Sequence, residues 1–175
     1  KKMDRHSSVR EGRGRTWAKV ILLGEHSVVY GHPAVALPLH DLQMRATAAP
    51  VHGPSRLRSL DYCGPIDHAG PRFACIARAF EAAREFSGCL DLSFEITTRS
   101  DFPHERGLGS SATCIVGGVL AADALHGLGL GADELVRLAT DVEGHPDNVA
   151  PALLGGVVVS AVSDGRVHSL PVGLP

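Results

Sequence analysis

The stretch Arg106-Gly107-Leu108-Gly109-Ser110-Ser111-Ala112-Thr113 decides how the rest of the chain is interpreted. It follows a run of alternating apolar and polar residues and opens an apolar run with helical spacing. The two glycines allow a sharp turn and a close approach of the backbone to a ligand. The first amides of the helix have no partner within it, and its dipole favours negative charge. The stretch therefore fits a phosphate-binding loop, and it fits equally a serine-capped helix after a tight turn.

Two common nucleotide-binding motifs do not account for this chain. The pattern G-x-x-x-x-G-K-[ST] of the Walker loop does not occur in the sequence. Gly127-Leu128-Gly129-Leu130-Gly131-Ala132 matches G-x-G-x-x-A, but it separates two helical runs and does not follow a strand. We interpret that match as chance, because a dinucleotide fingerprint requires a preceding strand.

Length and charge limit the class of protein. A chain of 175 residues suits one domain, or one domain and part of another. The net charge of −2 gives no reason to expect nucleic acid or an anionic membrane as a partner. No apolar run is long enough to span a membrane. We therefore expect a soluble, cytoplasmic protein.

Cysteine usage agrees with a reducing compartment. The four cysteines have no C-x-x-C spacing, so neither a zinc site nor a disulfide framework is indicated; they are Cys63, Cys75, Cys89 and Cys114. Reduced, cytosolic thiols are the favoured interpretation.

The pattern of apolar residues predicts the order of elements. Residues 1–15 are charged and poor in apolar residues, so we expect a disordered tail there and a single domain over 16–175. The predicted elements are a strand over 19–23, a strand over 42–48, a loop over 49–70, a helix over 71–86, an antiparallel strand with Leu90, Leu92, Phe94 and Ile96 inward, a helix over 110–125, a helix from Ala132 or Asp133, and a hairpin with strands over 155–162 and 167–170.

Ionisable residues are concentrated in two short segments. Glu25 and His26 interrupt an apolar stretch between turn residues, so they form either a salt-bridged turn or part of a site. Glu143-Gly144-His145-Pro146-Asp147-Asn148 holds two carboxylates, an imidazole and an amide within six residues. Lys19 is the only lysine after Lys1 and Lys2. These residues are the candidates for chemistry.

Two motifs together resemble one kinase superfamily. Lys19-Val20-Ile21-Leu22-Leu23-Gly24-Glu25-His26-Ser27-Val28-Val29-Tyr30-Gly31 closely resembles the first motif of mevalonate kinases. Gly107-Leu108-Gly109-Ser110-Ser111-Ala112 resembles the phosphate-loop motif of the wider GHMP small-molecule kinases. The resemblance covers residues 16–175. It implies an α+β fold, a GHMP-kinase N-terminal domain with a mixed or antiparallel sheet and helices, with the C-terminal domain largely missing from this chain.

The resemblance also implies the activity and the roles of residues. The activity is transfer of the γ-phosphoryl group of ATP to a small alcohol, with Mg²⁺ as the metal. Lys19 matches the catalytic lysine that stabilises charge, and Glu25 and His26 match positions that face mevalonate. The ATP-binding residues are Gly107, Leu108, Gly109, Ser110, Ser111 and Ala112, and the hydroxyl of Ser111 also matches a Mg²⁺ ligand.

The second half of the chain resembles homoserine kinases instead. Mevalonate kinases carry a Gly-x-Pro-Ser-Gly-Val-Asp segment whose aspartate is the catalytic base, whereas this chain has the segment that begins at Glu143. Alignment on the proline places Ala150 at the aspartate, and alignment on the Asp-Asn pair places Asp147 there. Asp147 is therefore the second catalytic candidate, or it orients substrate with His145 and Asn148. Glu143 is the candidate Mg²⁺ carboxylate, or it merely ends a helix.

Three functions follow from these resemblances. A mevalonate kinase-like enzyme ranks first because Glu25 and His26 lie in the front motif. Homoserine kinase is the alternative enzyme, and a non-catalytic nucleotide-binding or structural fragment is the third interpretation. A fused or engineered chain with a junction near Ala112, or an unusual family member, would explain the mixed resemblance. After Gly155 the chain offers no glycine-rich third motif of the C-terminal domain, so the cleft is expected to be incomplete. The expected partner is a small-molecule alcohol, with no nucleic acid and no membrane, and a homodimer stays open.

Overall fold

The computed structural model describes residues 11–59, 62–88, 93–103 and 107–173 as a mixed sheet with four α-helices. The strands are β1 (Gly12–Leu23), β2 (Ala34–Pro50), β3 (Arg56–Ser59), β4 (Tyr62–Pro65), β5 (Phe94–Ser100), β6 (Val157–Ser163) and β7 (Arg166–Val172). The helices are α1 (Ala74–Ser87), α2 (Ser110–His126), α3 (Ala132–Glu143) and α4 (Pro146–Leu154). Short 3₁₀ turns cover Ser27–Tyr30, Ile66–His68 and Pro71–Phe73. The predicted α+β class is confirmed.

The long strand β2 organises the sheet. One edge of β2 pairs with β1. Its other edge pairs first with β6 and, further along, with β5, and Val35 pairs with both Leu23 of β1 and Val159 of β6. The order across the sheet is β4-β3-β5-β2-β6-β7, with β1 beside β2. The β3–β5 pair is parallel, and the other pairs among the described strands are antiparallel.

Helix α2 is the centre of the core. It is apolar around most of its circumference, and its residues 112–119 are all buried. Gly12 and Gly14 of β1 are buried beneath it, and a Cβ on Gly12 would lie 1.9 Å from the carbonyl oxygen of Ala121. Only glycine allows the backbones of strand and helix to approach so closely.

Several predicted elements are confirmed, and two differ. The helices over 71–86 and 110–125, the helix after Gly131 and the final hairpin all form. The predicted tail over 1–15 is wrong at its end, because β1 already begins at Gly12; residues 1–10 lie outside the described ranges. The predicted loop over 49–70 contains the β3–β4 hairpin. Leu90 and Leu92 also lie outside the described ranges, while the strand they were predicted to join continues to Ser100.

Candidate active site

A bulge in the sheet places Lys19. Trp17 pairs with Gln43, but the next residue of β1, Ala18, pairs with Leu39, so three residues of β2 are passed over. Alternation therefore breaks, and both Ala18 and Lys19 are buried. The register partner of Lys19 is Pro38, which has no N–H to contribute to the ladder.

The phosphate-loop candidate is built against Lys19. The Lys19 amide donates a hydrogen bond to the carbonyl of Leu108 at 3.1 Å, and its Nζ donates to the carbonyl of Gly107 at 3.4 Å. Gly109 has a φ of 75°, and a Cβ there would lie 2.7 Å from Cε of Lys19. Gly107 has a φ of 72°, but a Cβ there would have no neighbouring atom within 4 Å. The lysine and the loop thus form one packed unit.

The first turn of α2 is open to an anion. Its N-cap residue is Gly109, which supplies no side-chain cap, and no acidic residue lies in the first turn. Gly107 and Ser111 are exposed to solvent. Thr113 donates its amide and its hydroxyl to the carbonyl of Gly109, both at 2.9 Å, which fixes the turn from inside. The helix dipole therefore faces solvent at a place where an anion can reach it.

Helices α3 and α4 bring carboxylate and imidazole side chains close to the first turn of α2. Glu143 is the last residue of α3, and its Oε2 accepts a hydrogen bond of 2.9 Å from Ser111 Oγ. His145 and Asp147 lie at the start of α4, where Pro146 occupies the first turn and the dipole favours a carboxylate. Thr16 Oγ1 holds α4 to β1 by donating to the carbonyl of Ala152 at 2.8 Å.

His145 and Asp147 form a close pair. His145 Nδ1 contacts Asp147 Oδ1, and the Asp147 side chain is 5% exposed while that of His145 is 32% exposed. Asn148 Nδ2 lies 3.4 Å from the same His145 nitrogen, which is already committed to the carboxylate. Asn148 Oδ1 is buried with no hydrogen-bond partner among the described residues. A buried carbonyl oxygen without a protein partner is an acceptor able to receive a hydrogen bond from a ligand.

Burial and mutual charge shift the pKa values of this cluster. Burial lowers the pKa of Lys19, although Asp147, Glu25 and Glu143 oppose that shift with their negative charge. The hydrogen bond to Asp147 raises the pKa of His145. Burial acts to raise the pKa of Asp147, but the hydrogen bond and charge of His145, helped by Lys19, outweigh it and leave that pKa lowered. The ionised form of Asp147 is therefore favoured by His145 and Lys19 beside it.

Sequence reasoning missed one group beside this cluster. Cys75, near the start of α1, is half-buried and packs against the apolar core that contains Cys114. Interaction with the Cys114 thiol is the main reason that the pKa of Cys75 falls to about 7. The same interaction raises the pKa of Cys114 well above its usual range. No motif marks Cys75, because only the packing of α1 against α2 brings it there.

Of the three site residues predicted from the front motif, only Lys19 lies in the buried cluster. Lys19 lies within it, whereas Glu25 and His26 are exposed. Glu25 is near enough for its charge to act on Lys19. His26 adopts a φ of 61° at the start of the Ser27–Tyr30 turn, and no hydrogen bond among the described residues joins its side chain to the cluster.

The oxygens of Ser111 and Glu143 are suitable ligands for a magnesium ion whose other ligands are phosphate oxygens and waters. Among the described residues, no group of three or more His, Cys, Asp or Glu side chains could hold a metal ion. Mg²⁺ in nucleotide sites typically takes only one or two carboxylates, with phosphate oxygens and waters completing its octahedron. A hydroxyl and a carboxylate 2.9 Å apart suit that role.

A second concavity lies away from this cluster. A groove of about 790 Å³ runs between α3 and β7, and its walls include Arg137, Asp141, Arg166 and His168. None of the predicted site residues lines it. Volume alone would favour this groove as the functional site, but the converging side chains with shifted pKa values favour the cluster around Lys19.

No helix in the described ranges has both the length and the apolar character needed to cross a membrane.

Comparisons with known proteins agree with the motifs. Residues 74–156 match the family described as GHMP kinases N terminal domain. The chain is 48% identical over 103 residues to a homoserine kinase of Carboxydothermus hydrogenoformans, an alignment that covers 59% of this chain and 33% of the relative. It is 54% identical over 76 residues to a homoserine kinase of Lactiplantibacillus plantarum, covering 43% of this chain and 26% of the relative.

A solved structure shares the fold over nearly the whole chain. Mevalonate kinase of Methanococcus jannaschii superimposes with a TM-score of 0.72 at 21% identity, covering 93% of this chain and 56% of that protein. The chain thus spans about half of this structure, and its alignments span about a third or less of the curated relatives. Residues 74–156 thus resemble the N-terminal domain of GHMP kinases, and the mixed sheet with its helices shares the fold of this mevalonate kinase structure.

Proposed function

We propose that the protein carrying this domain transfers the γ-phosphoryl group of ATP to the hydroxyl of homoserine. The homoserine kinases near 50% identity support this substrate more strongly than the mevalonate kinase fold at 21% identity does. This reverses the ranking expected from the front motif. The segment that begins at Glu143 was the part of the sequence that favoured homoserine kinase.

One observation carries the proposal. Lys19, the open first turn of α2, Glu143 and the His145–Asp147 pair come from four separate elements and lie together. Phosphoryl transfer requires positioning and charge neutralisation more than covalent chemistry. A helix N-terminus, a buried ammonium and a hydroxyl–carboxylate pair provide those functions.

The residues then divide by role. The amides of the loop and first turn around Ser111 bind the triphosphate, and Ser111 with Glu143 holds Mg²⁺. Mg²⁺, when bound, supplies neutralisation of the phosphate charge. Lys19 keeps its ammonium in a poorly solvated place, where a positive charge acts more strongly on a developing negative charge than it would in water.

The His145–Asp147 pair fits substrate orientation better than proton abstraction. A general base works best when its pKa lies near the operating pH, and the pKa of Asp147 is lowered instead. An ionised carboxylate and the unpartnered Oδ1 of Asn148 are both acceptors, so they are suited to bind the ammonium group of an amino acid. We therefore assign Asp147 and Asn148 to holding homoserine, with His145 fixing the carboxylate.

Nucleotide binding tests the first part of the proposal. Calorimetry with Mg-ATP should give a saturable heat for this chain, and Ser111→Ala should weaken the affinity by about tenfold, the effect of one charge-assisted contact. Ser163→Ala, at the exposed last residue of β6, is the matched control and should bind as the parent does. Absence of heat at millimolar nucleotide would remove the kinase proposal.

Substrate choice tests the second part. A coupled ADP-release assay with homoserine and mevalonate in parallel should show turnover with homoserine. Mevalonate is the second candidate, because the residues from Lys19 to Gly31 closely resemble the mevalonate kinase motif. Turnover of mevalonate alone would establish that candidate and overturn ours. Binding of nucleotide without turnover of either alcohol would favour a non-catalytic nucleotide-binding domain.

A further inference from the structure

A row of arginines crosses the face of the sheet that points away from α2. Arg15 of β1 pairs with Arg45 of β2, and Arg45 pairs in turn with Arg99 of β5. Residues directly opposite each other in antiparallel strands lie on the same face of a sheet. All three arginines are exposed, whereas Gly14, the neighbour of Arg15, is buried beneath α2. The row therefore lies on the open side of the sheet.

Two further arginines extend this basic surface. In the next row, Arg13 of β1 and Arg58 of β3 occupy the two ends, and Thr47 and Thr97 lie between them. Both arginines are exposed. Strands lie about 4.8 Å apart, so the first row spans about 10 Å and the second about 14 Å. We refer to these five residues as the arginine face: Arg13, Arg15, Arg45, Arg58 and Arg99.

Carboxylates next to the arginine face neutralise it only in part. Exposed ion pairs contribute little to stability, and three of the five arginines have such a pair: Arg13–Glu11 at 2.8 Å, Arg45–Asp101 at 3.7 Å and Arg58–Glu95 at 3.7 Å. No ion pair among the described residues includes Arg15 or Arg99. Like charges directly opposite each other destabilise a sheet. A bound anionic group would remove the repulsion that remains in the row.

A shallow recess within the arginine face can receive a carboxylate. Its volume is about 360 Å³, and its walls include Arg58, Thr97 and Arg99. Two guanidinium groups and a hydroxyl are donors that suit a carboxylate, and arginine can bind it through two parallel hydrogen bonds. The surface therefore combines charge with a place for a specific contact.

We propose that the arginine face docks an acidic helical segment of a partner polypeptide, whose carboxylates at positions i, i+3 and i+7 bind Arg15, Arg45 and Arg99. A helix rises by 1.5 Å per residue, so carboxylates at these positions lie on one side at about 0, 4.5 and 10.5 Å. The three strands lie at about 0, 4.8 and 9.6 Å. An extended segment matches the row less well, because its carboxylates on one side are about 6.8 Å apart.

The distribution of charge favours a polypeptide over a nucleic acid or an anionic membrane. The net charge of −2 means that a long polyanion is repelled by the chain as a whole. Glu11, Glu95 and Asp101 next to the arginine face would oppose a continuous phosphate backbone, whereas a short helix contacts only the central row. Among the described residues of β1, β2, β3 and β5 on this side, only Trp17 is aromatic, so successive bases would have no stacking platform.

The fluorescence of Trp17 tests the proposal directly. Trp17 is the only tryptophan in the sequence, and its ring centroid lies 5.8 Å from Cζ of Arg15. The probe is an alanine-rich helical peptide of about 20 residues with glutamates at i, i+3 and i+7; an isomer with glutamates at i, i+2 and i+5 spreads them around the helix. The first peptide should change the fluorescence saturably at low salt and bind about tenfold more tightly than the isomer. Equal affinities, or no change with either peptide, would overturn the proposal.

Arginine variants locate the binding surface. Arg45→Gln should weaken peptide binding by about tenfold because it removes the central guanidinium of the row, and Arg99→Gln should weaken it similarly. Arg137→Gln, at an exposed position of α3, is the matched control and should bind as the parent does. Melting temperatures verify that each variant folds. Equal losses in the control and in the two row variants would refute the assigned surface, because only overall charge would then matter.

Two parallel measurements test the class of partner. Oligothymidylate of about 15 nucleotides and vesicles containing phosphatidylserine replace the peptide at about 0.15 M salt, where long-range attraction is screened. Both should bind more weakly than the peptide with glutamates at i, i+3 and i+7. Tighter binding of either one would overturn the choice of a polypeptide. None of these readouts involves nucleotide, so they stand or fall separately from the kinase proposal.

Discussion

The group around Asp147 and the segment around Glu25 form two halves of the candidate site, and the fold holds them differently. Asp147 is buried at the start of α4, paired with His145 and tied to β1 through the same helix. Glu25 is exposed, and it precedes the exposed side chains of Val29 and Tyr30. The half around Asp147 is thus preorganised in the chain, whereas the half around Glu25 is open.

This difference shows where substitutions should be felt. Groups fixed by packing and hydrogen bonds in the folded chain affect both stability and ligand binding when they change. Exposed groups affect stability little and act only when a ligand covers them. The following predictions separate the anchored half from the open half, beginning with the largest expected effect.

Replacement of the buried lysine should have the largest effect on catalysis. Lys19→Met removes the ammonium that opposes phosphate charge, and we expect turnover to fall by about 10²–10³, as for other preorganised donors. Stability should also fall, by about 1–2 kcal/mol, because Asp147 loses one of the two groups that favour its ionised form. Steady-state kinetics and urea unfolding measure the two effects, with Arg137→Met as an exposed control. Equal losses in turnover and nucleotide affinity would assign Lys19 to ground-state binding.

Replacement of the two carboxylates compares the halves directly. Asp147→Asn leaves His145 and Lys19 without their shared counter-charge, so we expect a loss of about 2 kcal/mol in the free energy of unfolding. Glu25→Gln should change that free energy by less than about 0.5 kcal/mol. Urea unfolding of both variants at neutral pH provides the measurement. Similar destabilisation by the two changes would remove the distinction between an anchored and an open half.

Alanine substitutions at the two loop glycines compare a packed position with an open one, with smaller expected effects on stability. Gly107 and Gly109 both have positive φ, so an alanine at either position costs about 1 kcal/mol of backbone strain. Gly109→Ala should lose about 1 kcal/mol more than Gly107→Ala, because its Cβ must displace the packed side chain of Lys19. Thermal unfolding compares the two variants. Equal melting temperatures would indicate that Lys19 is not fixed against the loop.

The smallest expected effect is the pH dependence of stability that comes from the His145–Asp147 pair. The folded pKa of His145 is raised, so its stabilising contribution is full below the unfolded value of about 6.5 and is lost as the pH rises through the folded value. The lowered pKa of Asp147 makes its contribution disappear only in acid. Relative to the parent, His145→Gln should therefore lose less stability at pH 9 than at pH 6. Melting temperatures across that range, with exposed His68→Gln as control, test the expectation.

Local sequence signals were sufficient for many of the elements. The apolar spacing placed α1 and α2 within a few residues of their ends, and the Ser163–Arg166 turn signalled the final hairpin. The start of β1 was missed because its inward positions are Gly12, Gly14 and Thr16, which give no apolar signal. These residues are small because α2 lies directly on them. The β3–β4 hairpin was missed because its strands are only four residues long.

Some features of the candidate site followed from the sequence, and others depended on the tertiary structure. The sequence by itself determined the class of domain, because the order of Lys19, the glycine-rich turn and the segment after Glu143 is a local pattern in the chain. Only the tertiary structure decided that Asp147 is buried against His145, that Glu25 and His26 stay exposed, and that Cys75 packs against the core that contains Cys114. The physical reason is that burial and charge coupling depend on the packing of α1, α3 and α4 around α2, which brings together residues far apart in the chain.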